Sequence, residues 1–271
     1  MMGLAGHAVG IIGAGNMGGA IVAGLSRASG AMRVYCFDTD EKKSEALARN
    51  FGAEVSRSIE ELAGASDIII IAVKPDALPA VLKELEALPA GRLLVSIVAG
   101  ASTESMEKAL PPAQKLVRAM PNTPALVGEG MTVLAAGAHA NADSMALAEE
   151  LFSHTGRTLV LPERLMDAVT GLSGSGPAFV FTMIQAMADG GVKTGIPRER
   201  ALFLAAQTVL GAARMVLETG DDPAVLRSRV ASPGGTTIEG LHALERAGFS
   251  GIVMDAVEAA ALKSARLGEK K

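Results

Sequence analysis

Three groups of residues carry chemistry by type and spacing. The first is Gly13-Ala14-Gly15-Asn16-Met17-Gly18, a G-x-G-x-x-G that follows the apolar, β-branched run at 8–12 and precedes a small-residue helix predicted over 19–25. Gly13 permits a tight turn, Gly15 lets backbone approach a pyrophosphate, and Gly18 lets the helix lie close on the strand. The helix N-terminus offers unpaired N–H groups and a positive dipole end to phosphates. Such a glycine pattern alone is a weak signal; its place between strand and helix makes dinucleotide binding the expectation. The second is Asp38, which closes a predicted strand over 32–37. A carboxylate there accepts from a ribose 2′-hydroxyl and repels a 2′-phosphate, which tilts the choice between NADH and NADPH towards NADH. Lys42 and Lys43 follow closely and moderate the tilt, and a plain turn or capping role for Asp38 is the competing reading.

The third is ASPGGTTIEGL at 231–241. Ser232 and Pro233 make a turn, Gly234 and Gly235 leave bare backbone amides, and Thr236 or Thr237 is expected to cap a helix with Glu239 as a capping-box partner. That is an anion nest lined with hydroxyls, too small for a second dinucleotide and suited to a carboxylate. GLSGSGP at 171–177 reads as a second loop of the same type. The four histidines lie far apart without metal-ligand spacing, which argues against zinc. Ser173 and Ser175 lack the G-x-S-x-G elbow, which argues against a serine hydrolase. A dinucleotide site plus a carboxylate nest, without a strong acid–base cluster, suits hydride transfer to a carbon that is already electrophilic, such as that of a protonated imine.

The elements that must position these groups change character along the chain. Strands are expected at 8–12, 32–37, 54–56, 67–73, 93–98, 116–120, 131–135 and 158–161, with helices between many of them. Ser58 with Glu61 marks one helix start. Pro75 stops the strand over 67–73 and leaves Lys74 at the carboxyl edge, where ligands of open α/β sheets sit. Pro121-Asn122-Thr123-Pro124 forms a rigid loop at the same edge. This alternation predicts a Rossmann-type, doubly wound, mostly parallel sheet over 1–162. From 163 to 271 only helices are expected, opened by Pro177, Pro197 and Pro223. The helix from Arg198 to Thr219 is apolar all round, which demands burial on every side and predicts a homodimer.

Composition sets the limits. With 49% hydrophobic but 3% aromatic residues and no Trp, the core must be aliphatic. A net charge of −4 without a basic stripe argues against nucleic acid. The charge-free runs 1–26 and 168–188 are read as buried structure rather than membrane spans. The first has no basic n-region and the second is broken by SGSGP. The single cysteine, Cys36, reads as a small buried hydrophobe of a reducing, cytoplasmic protein.

The chain resembles the pyrroline-5-carboxylate reductases over nearly its whole length. The resemblance is carried by IGAGNMG, AVKP at 72–75, RAMPNTPA at 118–125, DAVTGLSGSGPAFVF at 167–181, MADGGVKTGIPR and, most specifically, SPGGTTIEGL at 232–241. It implies an N-terminal Rossmann domain, an all-helical C-terminal dimerisation domain, and in many members rings of dimers. It further implies hydride transfer from NAD(P)H to the imine carbon of 1-pyrroline-5-carboxylate, giving L-proline. By position, Ser232, Gly235, Thr236 and Thr237 would hold the substrate carboxylate, with the Thr237 hydroxyl near the ring nitrogen as the catalytic group. Glu163 falls where members contact the substrate. Gly13, Ala14, Gly15, Asn16, Met17, Gly18, Asp38, Val73, Lys74, Ala99 and Asn122 would line the cofactor. Asp38 and Ile59 depart from members with Ser or Arg and with Asn there, which weakens the case for NADPH. A β-hydroxyacid dehydrogenase shares the N-terminal fingerprint but needs a lysine on the helix after its Gly-rich loop. Here that turn carries Pro177, Ala178, Phe179 and Val180. A non-catalytic dinucleotide-binding regulator would have no use for the hydroxyl-lined nest.

Overall fold

The computed structural model describes residues 4–27, 32–88 and 91–269. The first three residues of the charge-free run 1–26 therefore lie outside the described residues. The chain divides into two compact units, Met1–Ser175 with Ala259–Lys271, and Gly176–Glu258.

The first unit is built on one eight-stranded sheet. In chain order its elements are β1 (Ala8–Ile12), α1 (Asn16–Ser26), β2 (Arg33–Phe37), α2 (Glu41–Phe51), β3 (Glu54–Val55), α3 (Ile59–Ala65), β4 (Ile68–Ile71), α4 (Leu78–Glu84), β5 (Leu93–Ser96), α5 (Thr103–Glu107), β6 (Lys115–Met120), β7 (Gly130–Ala136), α6 (Ala142–Ser153), β8 (Gly156–Val160) and α7 (Met166–Val169). The strand order is β3-β2-β1-β4-β5-β6-β7-β8. Strands β1 to β6 run parallel; β7 is antiparallel to β6, and β8 is parallel to β7. The doubly wound, mostly parallel sheet expected from the sequence is therefore present, and its order reverses between β1 and β4, the usual ligand crevice of such sheets.

Both faces of the central strands are covered, which is why IIII in β4 and AVGII in β1 contain no polar residue. On one face Val9, Ile11, Ile68 and Ile70 pack with Ile21 and Leu25 of α1 and Leu151 and Phe152 of α6. On the other, Ile12, Ile69, Ile71 and Leu94 pack with Leu62 of α3, Leu82 of α4 and Met106 of α5. Cys36 is fully buried on β2, as expected, and burial raises its thiol pKa to about 11. Ser58 caps α3, accepting from the Glu61 N–H at 3.1 Å. The Glu61 carboxylate reaches one residue further back than a capping box prescribes, to the Arg57 N–H at 2.7 Å.

Most boundaries shift by one or two residues from expectation, and two of the shifts bear on the ligand crevice. Helix α1 starts at Asn16, so the last three fingerprint residues form its first turn. Strand β4 stops at Ile71. The Ala72 N–H still reaches the Ile12 carbonyl at 2.8 Å, after which Lys74 begins a turn closed by the Ala77 N–H at 3.0 Å.

Beyond β8 there is no strand among the described residues. The second unit contains α8 (Gly176–Lys193), α9 (Arg198–Thr219), α10 (Pro223–Val230), α11 (Thr236–Arg246) and the start of α12 (Phe249–Glu269), whose last turns belong to the first unit. Helices α8 and α9 form an antiparallel pair packed through Ala188, Ala201 and Ala205, flanked by Ile184, Val192 and Ile196. The Arg198 guanidinium, with help from Gln185, holds the Asp189 carboxyl below the usual carboxylate range across their connection. The rest of α9 is not buried as its composition demands: Phe203 is 70% exposed and Leu217 62%. By length and composition α9 is also long and apolar enough to cross a membrane.

Candidate active site

At the crevice, the fingerprint is shaped by backbone. Gly13 has φ +107 and donates its N–H to the Phe37 carbonyl at 2.7 Å. A Cβ there would strike the Ala72 carbonyl, and one on Gly18 would strike the Gly13 carbonyl. These two glycines are required by the fold. Gly15 is not: a Cβ there would meet nothing within 4 Å. It is the N-cap of α1, extended, with no side-chain capping bond and no acidic residue in the following turn. The first-turn N–H groups thus face open space beside a bare Cα, which fits a diphosphate. Ala14 is buried, Met17 half-buried and Asn16 exposed.

Asp38 leaves β2 beside this turn. One carboxylate oxygen accepts from the Ala14 N–H at 2.8 Å and the other from the Asp40 N–H at 2.9 Å. It is thus both a turn residue and a brace on the fingerprint, a role that spacing alone did not reveal. Val73 and Lys74 follow β4 and Ala99 follows β5; Lys74 is exposed, the other two half-buried. Asn122 follows β6 and is buried. Its Nδ2 donates to the Ser173 carbonyl at 3.0 Å, and its Oδ1 accepts from the Met131 N–H at 2.8 Å. That side chain is committed largely to bracing the loop.

The Ser173 carbonyl is available because Pro177 has no N–H to return to it. The stretch before Pro177 is not the second glycine nest expected from GLSGSGP. Thr170–Gly174 is a π-helical turn after α7, closed by the Ser175 N–H on the Thr170 carbonyl at 2.8 Å. Gly174 lies against the tip of the Met120 side chain, which a Cβ would push aside. Gly171 is buried in this turn, and the backbone amides are drawn into helix rather than presented as a mouth.

Glu163 sits on the sheet face that carries α5, at the start of a 3-10 turn, Glu163–Leu165, after β8. Its carboxylate accepts from the Thr103 N–H (2.7 Å), the Thr103 hydroxyl (2.5 Å) and Arg118 Nη1 (3.1 Å). Arg118 and Thr103 were missed as site residues. The signal available was an arginine inside the buried run LVRAM of β6, since a charge there needs a partner.

In the second unit, Gly234 takes φ +66 and the Gly235 N–H closes the turn on the Ser232 carbonyl at 3.1 Å. Gly235, not a threonine, is the N-cap of α11, and no side chain caps it. The expected capping box is therefore not formed. Thr236 and Thr237 fall inside the first turn, and neither hydroxyl caps the first-turn N–H groups. A Cβ on Gly235 would collide with the Ser232 hydroxyl, so the serine also closes in on this mouth.

A fingerprint mouth at the switch point of a parallel sheet, with a hydroxyl-lined anion mouth carried on a separate helical unit, defines a dinucleotide-dependent oxidoreductase. The comparisons agree. Residues 163–267 match the family model described as pyrroline-5-carboxylate reductase dimerisation, and 8–100 the model described as NADP oxidoreductase coenzyme F420-dependent. The pyrroline-5-carboxylate reductases of Methanosarcina acetivorans and Synechocystis are 45% and 43% identical, each alignment covering 97% of this chain and 98% of the relative. The crystal structure of the Plasmodium falciparum enzyme with NADP bound superposes with a TM-score of 0.88 at 34% identity, covering 97% of this chain and 98% of that one. This chain belongs to the pyrroline-5-carboxylate reductase family, NAD(P)H-dependent oxidoreductases of proline biosynthesis.

Proposed function

We infer that the chain reduces the C=N bond of 1-pyrroline-5-carboxylate to give L-proline, with residues 1–162 as the dinucleotide domain and 163–271 as the helical dimerisation and substrate domain. NAD(P)H supplies the hydride. Gly13 to Gly18 receive its diphosphate on the α1 amides, Asp38 meets the adenosine ribose, and Val73, Lys74, Ala99 and Asn122 line the remainder. The mouth of α11 takes the substrate carboxylate on the Gly235 to Thr237 amides and the Ser232 and Thr236 hydroxyls. The Thr237 hydroxyl sits towards the ring nitrogen, and Glu163 contacts the substrate. The observation that carries this reading is the α11 N-terminus, which has no side-chain cap and holds two threonines in its first turn. Because an iminium carbon is already electrophilic, the site needs orientation and charge balance more than a potent acid.

Self-association follows from the dimerisation domain. Here the exposed apolar flank of α9 is covered by a second copy of the chain rather than by lipid, and dimers assemble further into rings. Sedimentation at micromolar concentration is expected to give a dimer or larger; a compact monomer would refute it. The single buried, unreactive Cys36 agrees with a reducing, cytoplasmic setting. The direct test is oxidation of NADH and of NADPH on adding 1-pyrroline-5-carboxylate, with a 3-hydroxyacid assayed in reverse as the competing chemistry. Turnover of the hydroxyacid alone would overturn the assignment.

A further inference from the structure

The carboxylate of Glu163 is held from three directions. Oε1 accepts from the Thr103 N–H at 2.7 Å and from Arg118 Nη1 at 3.1 Å, and Oε2 accepts from the Thr103 hydroxyl. An ionised carboxylate offers about four acceptor positions over its two oxygens. Three are filled, which leaves one, on Oε2. The partners are rigid: Thr103 is 6% exposed and Arg118 7%, whereas the Glu163 side chain keeps 26% of its surface. Two buried donor residues thus hold a partly open carboxylate with one acceptor position unspent. A buried guanidinium needs a counter-charge, but one hydrogen bond would meet that need. The Thr103 hydroxyl adds aim, because it fixes the second oxygen.

We propose that Thr103 and Arg118 are positioning residues for imine reduction, orienting Glu163 so that the free acceptor on Oε2 takes the ring N–H of the substrate. The inference rests on the reading above that Glu163 contacts the substrate. In the reaction, hydride adds to the iminium carbon, the C=N π pair moves to nitrogen and cancels its positive charge, and the N–H bond is kept. A carboxylate on that N–H stabilises the cationic form that accepts hydride, and needs to transfer no proton. Thr103 is also the first residue of α5 and lies four residues beyond Ala99. The same carboxylate therefore ties down the β5–α5 loop that carries a cofactor contact of the proposed function.

The test is steady-state kinetics of the full-length enzyme, with pyrroline-5-carboxylate and NADH varied separately. It compares wild type, Thr103→Val, Thr103→Ser, Glu163→Ala and the Thr103→Val/Glu163→Ala double variant. Thr103→Val is expected to lower kcat/KM for the imine about tenfold, the size of one hydrogen bond to a charged group. The KM for NADH should move less than about twofold, and Thr103→Ser should restore activity. In the Glu163→Ala background, Thr103→Val should add almost nothing, because its effect runs through the carboxylate. Arg118→Lys, carried through the same cycle, serves if Thr103→Val does not fold. Additive losses, or parallel losses in coenzyme KM and melting temperature, would overturn the positioning role. So would wild-type kinetics of Thr103→Val beside an impaired Glu163→Ala. Unimpaired Glu163→Ala would instead sink the substrate-contact reading, and this inference with it.

Discussion

The mouths of α1 and α11 are opened by the same device and finished differently. Each helix starts from a glycine in extended conformation, Gly15 or Gly235, and neither N-terminus is capped by a side chain. Around α1 the backbone itself forms the floor: Gly13 and Gly18 are wedged against carbonyls, and no hydroxyl or carboxylate stands in the first turn. Around α11 the floor is looser and the walls are polar, with Ser232 pressed to Gly235 and two threonines in the first turn. A bare floor accepts a long anion wherever it presents an oxygen. A hydroxyl-lined mouth selects a small one in a single orientation. An uncapped helix start is general anion chemistry, and the surrounding side chains decide which anion.

Removing a wall of the selective mouth should cost most. Thr237→Ala is expected to lower kcat/KM for pyrroline-5-carboxylate by roughly one to three powers of ten, as loss of a buried hydrogen bond to a reacting group can. Coenzyme affinity, measured by fluorescence titration, should be unchanged. Wild-type kinetics would remove Thr237 from the reacting centre and leave the two mouths chemically alike.

The floor of the other mouth can be broken in two ways. Gly18→Ala drives a Cβ into the Gly13 carbonyl, so it should weaken coenzyme binding about a hundredfold and cost folding about 1–3 kcal/mol. Gly15→Ala meets nothing in the protein and should leave the melting temperature alone while still weakening coenzyme binding. If Gly15→Ala binds coenzyme normally, the open space above α1 is not where the diphosphate lies.

These contrasts also mark how far the sequence could be read. The strands were legible because runs such as DIIIIAV are apolar with no helical period, and α9 was read with both ends correct. The glycine fingerprint was legible because Gly13 and Gly18 answer local backbone needs. GLSGSGP was misread because a π turn depends on a distant donor: Asn122 satisfies the carbonyl that Pro177 abandons, and nothing local announces it. The misplaced cap on α11 has a similar root. Thr236 has the right residue type for a cap, but a glycine before it can take the extended conformation and leave the hydroxyl free. Arg118, Thr103 and Glu163 span 60 positions, and such a network becomes visible only when β5, β6 and the turn after β8 are brought together.

Asp38 tests a subtler difference, since it touches the α1 mouth from outside. Asp38→Ser should lower the ratio of kcat/KM for NADH over NADPH by about tenfold, the worth of one charge-assisted hydrogen bond and one repulsion removed. Because Asp38 also holds the Ala14 N–H at 2.8 Å, activity with both coenzymes should fall somewhat together. A common loss with an unchanged ratio would make Asp38 a brace alone.

The smallest effect separates the mouths without altering either. Cys36 is the chain's one thiol, paired with Ile11 in the β1–β2 register two residues before Asp38. Its pKa of about 11 keeps it protonated at neutral pH, and burial keeps reagent out, so labelling must wait for the sheet unit to open. Coenzyme bound only to the folded form should slow labelling in step with the ratio of its concentration to its Kd, continuing beyond saturation, while proline added alone should slow it little. The pH dependence has a fixed sign. A thiol whose pKa is raised by folding contributes its full stabilisation below the ordinary thiol range and loses it as pH climbs towards about 11. Relative to Cys36→Ala, the wild-type protein should therefore lose stability over that alkaline window and nowhere below it. Equal protection by proline and coenzyme would mean that the two mouths share one cooperative unit, and that the distinction drawn between them is chemical but not mechanical.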